Sequence, residues 1–129
     1  MGSVVTRIPA AESQRALAHF QALLEFETDC WDVHFALTNG RQDFVLIDVR
    51  AQSCFEAGHI EGAINIPHKN IDEVRLADIE KSQLIVVYCA GPHCNATEKA
   101  AIRLATLGRP VKKMIGGVTG WLDEGFTLV

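Results

Sequence analysis

Hydrophobic and polar residues alternate along the chain with two periods, one typical of helices and one typical of strands. From Pro9 to about Leu24, apolar residues recur at helical spacing, which predicts an amphipathic helix that covers one face of a sheet. Residues 25–28 fit a short edge strand. Asp29 is then placed to cap a second helix, which Asn39-Gly40 ends. The chain is therefore expected to begin with two helices separated by an edge strand.

Later in the chain, apolar and β-branched runs predict four further strands. The longest runs are nearly continuous in apolar residues, as in parallel strands that are covered on both faces. The predicted strands lie at residues 44–50, within residues 58–67, at residues 84–88 and at residues 111–115. The third of these is the expected central strand.

Helical segments separate these strands. They are predicted at residues 52–57, 71–79 and 95–107, with a last helical turn after the glycines at positions 116 and 117. In the second segment Ile71, Val74 and Leu76 should face inward, and in the third Asn95 and Glu98 are spaced as a capping box. Strands that alternate with helices in this way predict a parallel, three-layer α/β domain.

The composition limits the classes of protein to consider. With 129 residues, 48% apolar and 22% charged, the chain fits one compact globular domain. The net charge of −4 gives no reason to expect a nucleic acid partner, and we interpret the cluster of Arg109, Lys112 and Lys113 as a solvated strand edge or loop. Because no apolar run approaches roughly 20 residues and no signal sequence is evident, we expect no membrane association and a cytoplasmic location.

The chain has four cysteines, Cys30, Cys54, Cys89 and Cys94. A chain of this size with a full apolar core does not need disulfides, so we expect reduced thiols. We interpret Cys30 and Cys54 as packing residues, because a free cysteine behaves as a small apolar side chain. Cys89 differs from them, since it directly follows the expected central strand and opens a Gly/Pro turn that leads into the predicted helix 95–107.

The position of Cys89 is that of a reactive group. The carboxyl ends of parallel strands border the crevice of an open α/β sheet, and the following helix points its partly positive amino end toward the same place. A thiol at this place should ionise more easily than a free cysteine. Cys89 is therefore the candidate nucleophile.

Three segments together resemble the rhodanese-like family of sulfurtransferases. They are Ile47-Asp48-Val49-Arg50 with the following Gly58-His59-Ile60 and Asn65-Ile66-Pro67, then Val86-Val87-Tyr88-Cys89, and finally Gly116-Gly117 with Trp121. The resemblance implies a three-layer α/β/α fold with a central parallel sheet of about five strands. Residues 29–129 would form the rhodanese-like domain, and residues 1–28 an N-terminal helical extension packed on it.

The resemblance also implies a sulfurtransferase in which Cys89 carries sulfur as a persulfide. The donor would be thiosulfate, a persulfide or a polysulfide, and the acceptor a thiophilic compound, with no cofactor and no metal. The loop that would bind the substrate consists of Ala90, Gly91, His93, Cys94 and Asn95. The expected partners are a small sulfur-containing substrate and, as a further candidate, a protein sulfur acceptor.

This loop departs from the usual family pattern. It is about two residues longer than expected, Pro92 offers no backbone N–H, and His93 is the only cationic side chain in it. These departures weigh against efficient use of the thiosulfate dianion. Asn95 stands where a phosphatase loop needs Arg to grip phosphate, which argues against phosphatase or arsenate reductase chemistry.

Some residues keep two interpretations. Cys94 either fills the end of the loop or is a resolving cysteine that attacks an oxidised or persulfidated Cys89. Asp48 and Arg50 either form an ion pair that shapes the fold or place Arg50 at the crevice rim to attract the donor. A metal site at Cys89, His93 and Cys94 offers too few ligands for zinc. The alternative to an enzyme is a non-catalytic or redox-sensing module that binds a protein partner.

Overall fold

A computed structural model describes residues 1–129, which form one five-stranded sheet in which all neighbouring strands are parallel. The strands are β1 (Glu27–Asp29), β2 (Val45–Asp48), β3 (Ile64–Asn65), β4 (Ile85–Tyr88) and β5 (Val111–Ile115). Their order across the sheet is β1-β5-β4-β2-β3. The predicted parallel sheet is confirmed, and β4 occupies its centre.

Helices connect and cover these strands. They are α1 (Ser13–Phe26), α2 (Cys30–Thr38), α3 (Gln52–Ala57), α4 (Ala96–Thr106) and α5 (Gly117–Asp123), and a 3₁₀ turn lies at His68–Asn70. As predicted, Asp29 caps α2, with its side chain accepting a hydrogen bond from the N–H of Asp32 at 2.8 Å. None of the helices has the length and hydrophobicity needed to span a membrane.

The core has two halves, one on each face of the sheet, because successive strand residues point to opposite faces. Ile85 and Val87 of β4 pack in the half that α4 covers with Ala100 and Leu104. Their neighbours Val86 and Tyr88 pack in the other half, which contains residues of α2 and α5 such as Val33 and Trp121. All four β4 residues are buried, which explains why this strand is apolar throughout and holds its carboxyl end in a fixed position.

The segment 71–79 is not a helix, contrary to the prediction. It forms a series of turns in which Ile71 and Leu76 are buried while Val74 is 82% exposed. Arg109 holds the end of this segment, because its guanidinium donates hydrogen bonds to the carbonyl oxygens of Ile79, at 2.7 Å, and of Leu76, at 3.3 Å. The apolar spacing that predicted a helix therefore reflects two buried residues, Ile71 and Leu76, and not a continuous helix.

Arg109 itself corrects a second expectation. Its side chain is only 2% exposed and lies within 3.4 Å of Glu73. Arg109 is therefore buried and is not part of a solvated cluster. Cys54 corrects a third, because its side chain is exposed and not packed in the core. Cys30 is buried as expected, and its thiol donates to the carbonyl oxygen of Ile115 at 3.5 Å.

The N-terminal helix covers the sheet less than predicted. It lies against β1 and β5, but none of its residues is buried, and Leu17, Phe20 and Leu24 are each more than half exposed. Its half-buried residues are Ala16, Ala22 and Leu23. The proposed boundary between residues 28 and 29 falls inside β1 and stays a prediction.

Candidate active site

The candidate site begins at Cys89, the residue that follows the central strand. Its side chain is almost fully enclosed, with the residue only 4% exposed. The chain then turns back on itself, since the N–H of Cys94 donates to the carbonyl oxygen of Gly91 at 3.0 Å. This turn places Cys94 beside Cys89 just before α4 begins.

The segment after β5, which begins with Gly116 and Gly117, packs against the loop that follows Cys89. The N–H groups of Val118 and Thr119 donate to the carbonyl oxygens of Cys89 and Ala90 at 3.0 and 2.9 Å. Gly117 has a φ of +59°, and a Cβ atom there would lie 2.5 Å from the carbonyl oxygen of Cys89. Only glycine satisfies both conditions, so Gly117 allows the two loops to pack backbone against backbone.

A small cavity of about 160 Å³ opens between these loops, α4 and the end of β5. Its lining includes Cys89 and Cys94 from the loop, Thr97 and Glu98 from α4, and Lys113 from β5. The volume is below the roughly 300 Å³ at which pockets for drug-sized ligands begin. The cavity therefore suits a ligand smaller than a drug-sized molecule.

The pKa values of the two thiols that line the cavity shift in opposite directions. Burial raises the pKa of the Cys89 thiol, and its hydrogen bond to Cys94 raises it further. Burial also opposes ionisation of Cys94, but the hydrogen bonds from Cys89 and from the N–H groups of Ala96 and Ala90 outweigh it and lower the pKa of Cys94. The expectation that Cys89 ionises more easily than a free cysteine is therefore wrong for the resting pair, because the negative charge is stabilised on the less buried sulfur.

Charged side chains lie at the mouth of the cavity. Lys113 Nζ lies 2.9 Å from Glu98 Oε1 and 3.4 Å from Glu27 Oε2. The hydrogen bond to Glu98 raises the pKa of Lys113. Burial opposes ionisation of Glu98, but hydrogen bonds from Lys113 and Thr97 lower the pKa of its carboxyl. Lys113 and Glu98 line the cavity, whereas Glu27 pairs with Lys113 from outside the lining. We call these three residues the mouth cluster, which has one basic and two acidic members.

The mouth cluster replaces the predicted capping box at the start of α4. Asn95 precedes the first residue of the helix, but its side chain makes no capping hydrogen bond. Glu98 accepts instead from the Thr97 hydroxyl at 2.8 Å and from Lys113. The partner that competes for Glu98 comes from a distant strand, so the local spacing alone could not reveal it.

Comparison with known proteins decides the family. The family model described as "Rhodanese-like domain" matches residues 34–124. The chain belongs to the rhodanese-like family.

Individual relatives of this rhodanese-like chain differ in length and in name. It is 37% identical over 89 residues to an HTH-type transcriptional regulator of Mycobacterium tuberculosis, a match that covers 64% of the chain but only 39% of the regulator. It is 34% identical over 82 residues to the thiosulfate sulfurtransferase GlpE of Pseudomonas fluorescens, covering 62% of the chain and 72% of that enzyme. A solved structure from Bacillus halodurans superimposes with a TM-score of 0.87 at 34% identity, covering 90% of the chain and 85% of that structure.

The structure of this rhodanese-like domain separates the predicted site residues into two groups. Gly91 and Cys94 line the cavity with Cys89, whereas Ala90 takes part through its N–H and carbonyl groups. His93 and Asn95 are exposed and do not line the cavity. No group of three or more His, Cys, Asp or Glu side chains is arranged to hold a metal ion.

Asp48 and Arg50 form a closed pair outside the cavity lining. Asp48 is fully buried and accepts from Arg50 Nη2 at 2.7 Å and from Arg50 Nε at 3.1 Å. The same Nη2 donates to the carbonyl oxygen of Gly58 at 2.6 Å. These contacts through Nε and Nη2 match the interpretation in which the pair shapes the fold.

Sequence reasoning missed the cavity residues outside the loop, namely Thr97, Glu98 and Lys113. Lys113 lies in β5 two residues before its end, where the carboxyl ends of parallel strands meet the crevice. The position of Lys113 near the carboxyl end of β5 was the signal in the sequence that could have identified it as a cavity residue. The interpretation of a solvated cluster treated Lys112 and Lys113 alike, although neighbours in a strand face opposite sides.

Proposed function

We propose that this rhodanese-like domain is a sulfurtransferase that moves sulfane sulfur from a small donor to a thiophilic acceptor through a persulfide on Cys89. The observation that carries the proposal is a cysteine at the end of the central strand, enclosed in a small cavity that backbone N–H groups and Gly117 shape. Similarity to thiosulfate sulfurtransferases supports the reaction class.

The thiol pair supplies the proton transfer that the first step requires. Of the two thiols that line the cavity, Cys94 has the lowered pKa and Cys89 the raised one, so Cys94 loses its proton first and is placed to accept the proton of Cys89. When the donor enters, the proton moves to Cys94, and the Cys89 thiolate attacks the outer sulfur of the donor. The bond between the two donor sulfurs breaks, the donor leaves as a thiolate or sulfite, and Cys89 keeps the transferred sulfur. Cys94 thus acts first as a base.

The charges of the cavity favour donors with little negative charge. The mouth cluster carries a net charge of −1 when Lys113, Glu98 and Glu27 are all ionised, so it offers no excess of positive charge to a dianion. A simple alkyl persulfide carries at most one negative charge, whereas thiosulfate carries two. We therefore propose that alkyl persulfides are preferred as donors over thiosulfate, and that a protein thiol is a candidate acceptor.

The experiment is persulfide loading followed by intact mass measurement. The reduced protein is mixed with thiosulfate, a polysulfide or glutathione persulfide, and each sulfur atom retained adds about 32 Da. A Cys89→Ser variant is the matched control and should gain no sulfur at this position in a peptide map. The proposal fails if no donor reacts at Cys89, either as retained sulfur or as a product of its further reaction, while all four cysteines titrate as free thiols after unfolding.

The second candidate function is a redox-sensing module that binds a protein partner. The burial that raises the pKa of Cys89 favours it, because a protonated thiol is a poor nucleophile. Alkylation of Cys89 and Cys94 as a function of pH separates the two functions. Reaction of one thiol of the pair well below the ordinary cysteine pKa of about 8.5 favours the enzyme, whereas two slow thiols favour the module.

We also propose that the protein acts in the cytoplasm. All four cysteines are free, including the exposed Cys54, and a reducing compartment keeps such thiols in this state. Measurement of the thiol state after rapid acid quenching of cells tests this proposal, which predicts four reduced cysteines.

A further inference from the structure

The cavity contains a second sulfur that the transfer of one sulfur atom does not consume. Cys94 lines the same cavity as Cys89, and the hydrogen bond from its N–H to Gly91 folds the loop so that the two thiols interact. The other two cysteines do not join them, since Cys30 lies in the opposite half of the core and Cys54 is exposed. Cys89 and Cys94 are therefore the one pair of thiols placed to react with each other.

Cys94 packs at the edge of the core half that contains Cys89, and it also lines the cavity. The side chain is only half-buried, while Cys89 is enclosed. The backbone N–H groups of Ala90 and Ala96 lower the pKa of the Cys94 thiol, and Ala96 is the first residue of α4. Neighbouring N–H groups stabilise a thiolate, which suits Cys94 to act as a nucleophile.

We propose that Cys94 attacks the Cys89 persulfide, so that the domain reduces sulfane sulfur to hydrosulfide at the expense of an external dithiol. This inference rests on the proposed function, because it begins with the persulfide. The proton that Cys94 accepted in the first step passes to the outer sulfur of the persulfide. The Cys94 thiolate then forms a bond to Cys89 Sγ, the bond between Sγ and the outer sulfur breaks, and the outer sulfur leaves as HS⁻. The product is a Cys89–Cys94 disulfide.

The electrons for this reduction come from the two cysteines and are restored by the dithiol. The pair loses two electrons when its disulfide forms, and the outer sulfur gains them as it leaves as hydrosulfide. A dithiol then attacks the disulfide, forms its own internal disulfide and returns Cys89 and Cys94 to their thiol forms. Cys94 is the accessible point of attack, because its neighbours His93 and Asn95 are exposed whereas Cys89 is enclosed.

The experiment is a single loading with glutathione persulfide in the absence of any other thiol. After removal of small molecules, the wild-type protein should be about 2 Da lighter than its reduced form, with one hydrosulfide trapped by monobromobimane per Cys89–Cys94 disulfide. The Cys94→Ser variant should instead keep a persulfide on Cys89, about 32 Da heavier, when it is loaded at a pH at which iodoacetamide labels its Cys89. Cys54→Ser is the matched control and should behave like the wild type.

The stoichiometry excludes oxidation by air, which forms the disulfide without releasing hydrosulfide. Dithiothreitol serves as the probe dithiol, and it should restore the reduced mass of the loaded wild-type protein. A wild-type protein that retains a persulfide on Cys89 or moves it to Cys94, with no disulfide, would overturn the inference and leave the sulfurtransferase intact. Failure of both the wild type and Cys94→Ser to react with the donor would overturn the proposed function instead. The wild-type measurement decides the inference even if the variant folds poorly.

Discussion

Two charged clusters of this domain differ in how far their side chains are exposed to solvent. The Asp48–Arg50 pair is buried, with side-chain exposures of 0% and 12%, and Arg50 Nη2 also donates to the carbonyl oxygen of Gly58. The mouth cluster is open, since the side chains of Lys113, Glu98 and Glu27 are 31%, 47% and 27% exposed. The buried pair belongs to the segment that carries the family resemblance, whereas the mouth cluster does not. The difference teaches that this pair of family-marking residues maintains the fold, while the three residues of the mouth cluster, outside the recognised segments, set the charge beside the cavity.

The largest effect should come from breaking the buried pair. In an Asp48→Ala variant the Arg50 guanidinium loses its carboxylate while remaining enclosed, so the free energy of unfolding should fall by about 3–5 kcal/mol. Urea denaturation measures this loss. The matched comparison is the double variant Asp48→Ala with Arg50→Met, which removes the unpaired charge and should recover part of the stability. A loss below about 1 kcal/mol would place the pair in the class of surface salt bridges.

The next effect should appear in activity when Lys113 is replaced by Met. The substitution keeps the length of the side chain but leaves Glu98 and Glu27 unpaired, so anionic donors are repelled from the cavity. A change of about 1 kcal/mol corresponds to about a fivefold loss of kcat/KM for thiosulfate, with a smaller loss for a less charged persulfide. Stability should change by less than about 1 kcal/mol.

Steady-state kinetics at two ionic strengths provide the check on Lys113. The difference between the two donors should shrink in high salt, because salt screens charges at an exposed mouth. Lys112→Met is the matched control, since Lys112 does not line the cavity. Equal losses for both donors at both salt concentrations would mean that Lys113 acts through the structure and not through its charge.

The two clusters also show what the sequence could and could not reveal. The buried strand 85–88 and the cysteine after it were predictable, because a continuous apolar run is determined locally. The partners of Lys113 and Arg109 were not, because they come from elements that lie far away in the chain. A basic residue in a strand looks the same in the sequence whether it faces solvent, a cavity or a set of carbonyl oxygens. The helical spacing of residues 71–79 misled for the same reason.

The ionisation of the cysteine pair depended on still finer detail. A sequence identifies the end of a strand and the start of a helix, and both correctly placed Cys89 at the crevice. It does not reveal which of two neighbouring sulfurs receives the backbone N–H groups, here those of Ala90 and Ala96. The pKa of Cys94 is the lowered one because the turn at Gly91 brings this residue close to the start of α4.

A smaller effect of opposite sign should follow from Glu98→Gln. The variant removes one negative charge from the mouth cluster while Glu27 still pairs with Lys113 at 3.4 Å, so the cluster becomes neutral. We expect kcat/KM for thiosulfate to rise by about threefold, with little change for an uncharged donor. Kinetic comparison of the two donors tests this, and Glu27→Gln should act in the same direction. A fall in thiosulfate activity would show that Glu98 contributes to the reaction in another way.

The smallest effect concerns the pH dependence of stability. Hydrogen bonds from Lys113 and Thr97 lower the pKa of Glu98 below its ordinary value of 4.5. A carboxyl whose pKa is lower in the folded state stabilises the fold above the pKa of the unfolded chain, and this contribution disappears as the pH falls through the folded value. The difference in melting temperature between the wild type and Glu98→Gln should therefore be present at pH 7 and vanish toward pH 3. Because Glu98 is 47% exposed, the difference should be small and should weaken with added salt. A difference that persisted at pH 3 would mean that the amide disturbs packing, and the mouth cluster would then resemble the buried pair more closely than its exposure suggests.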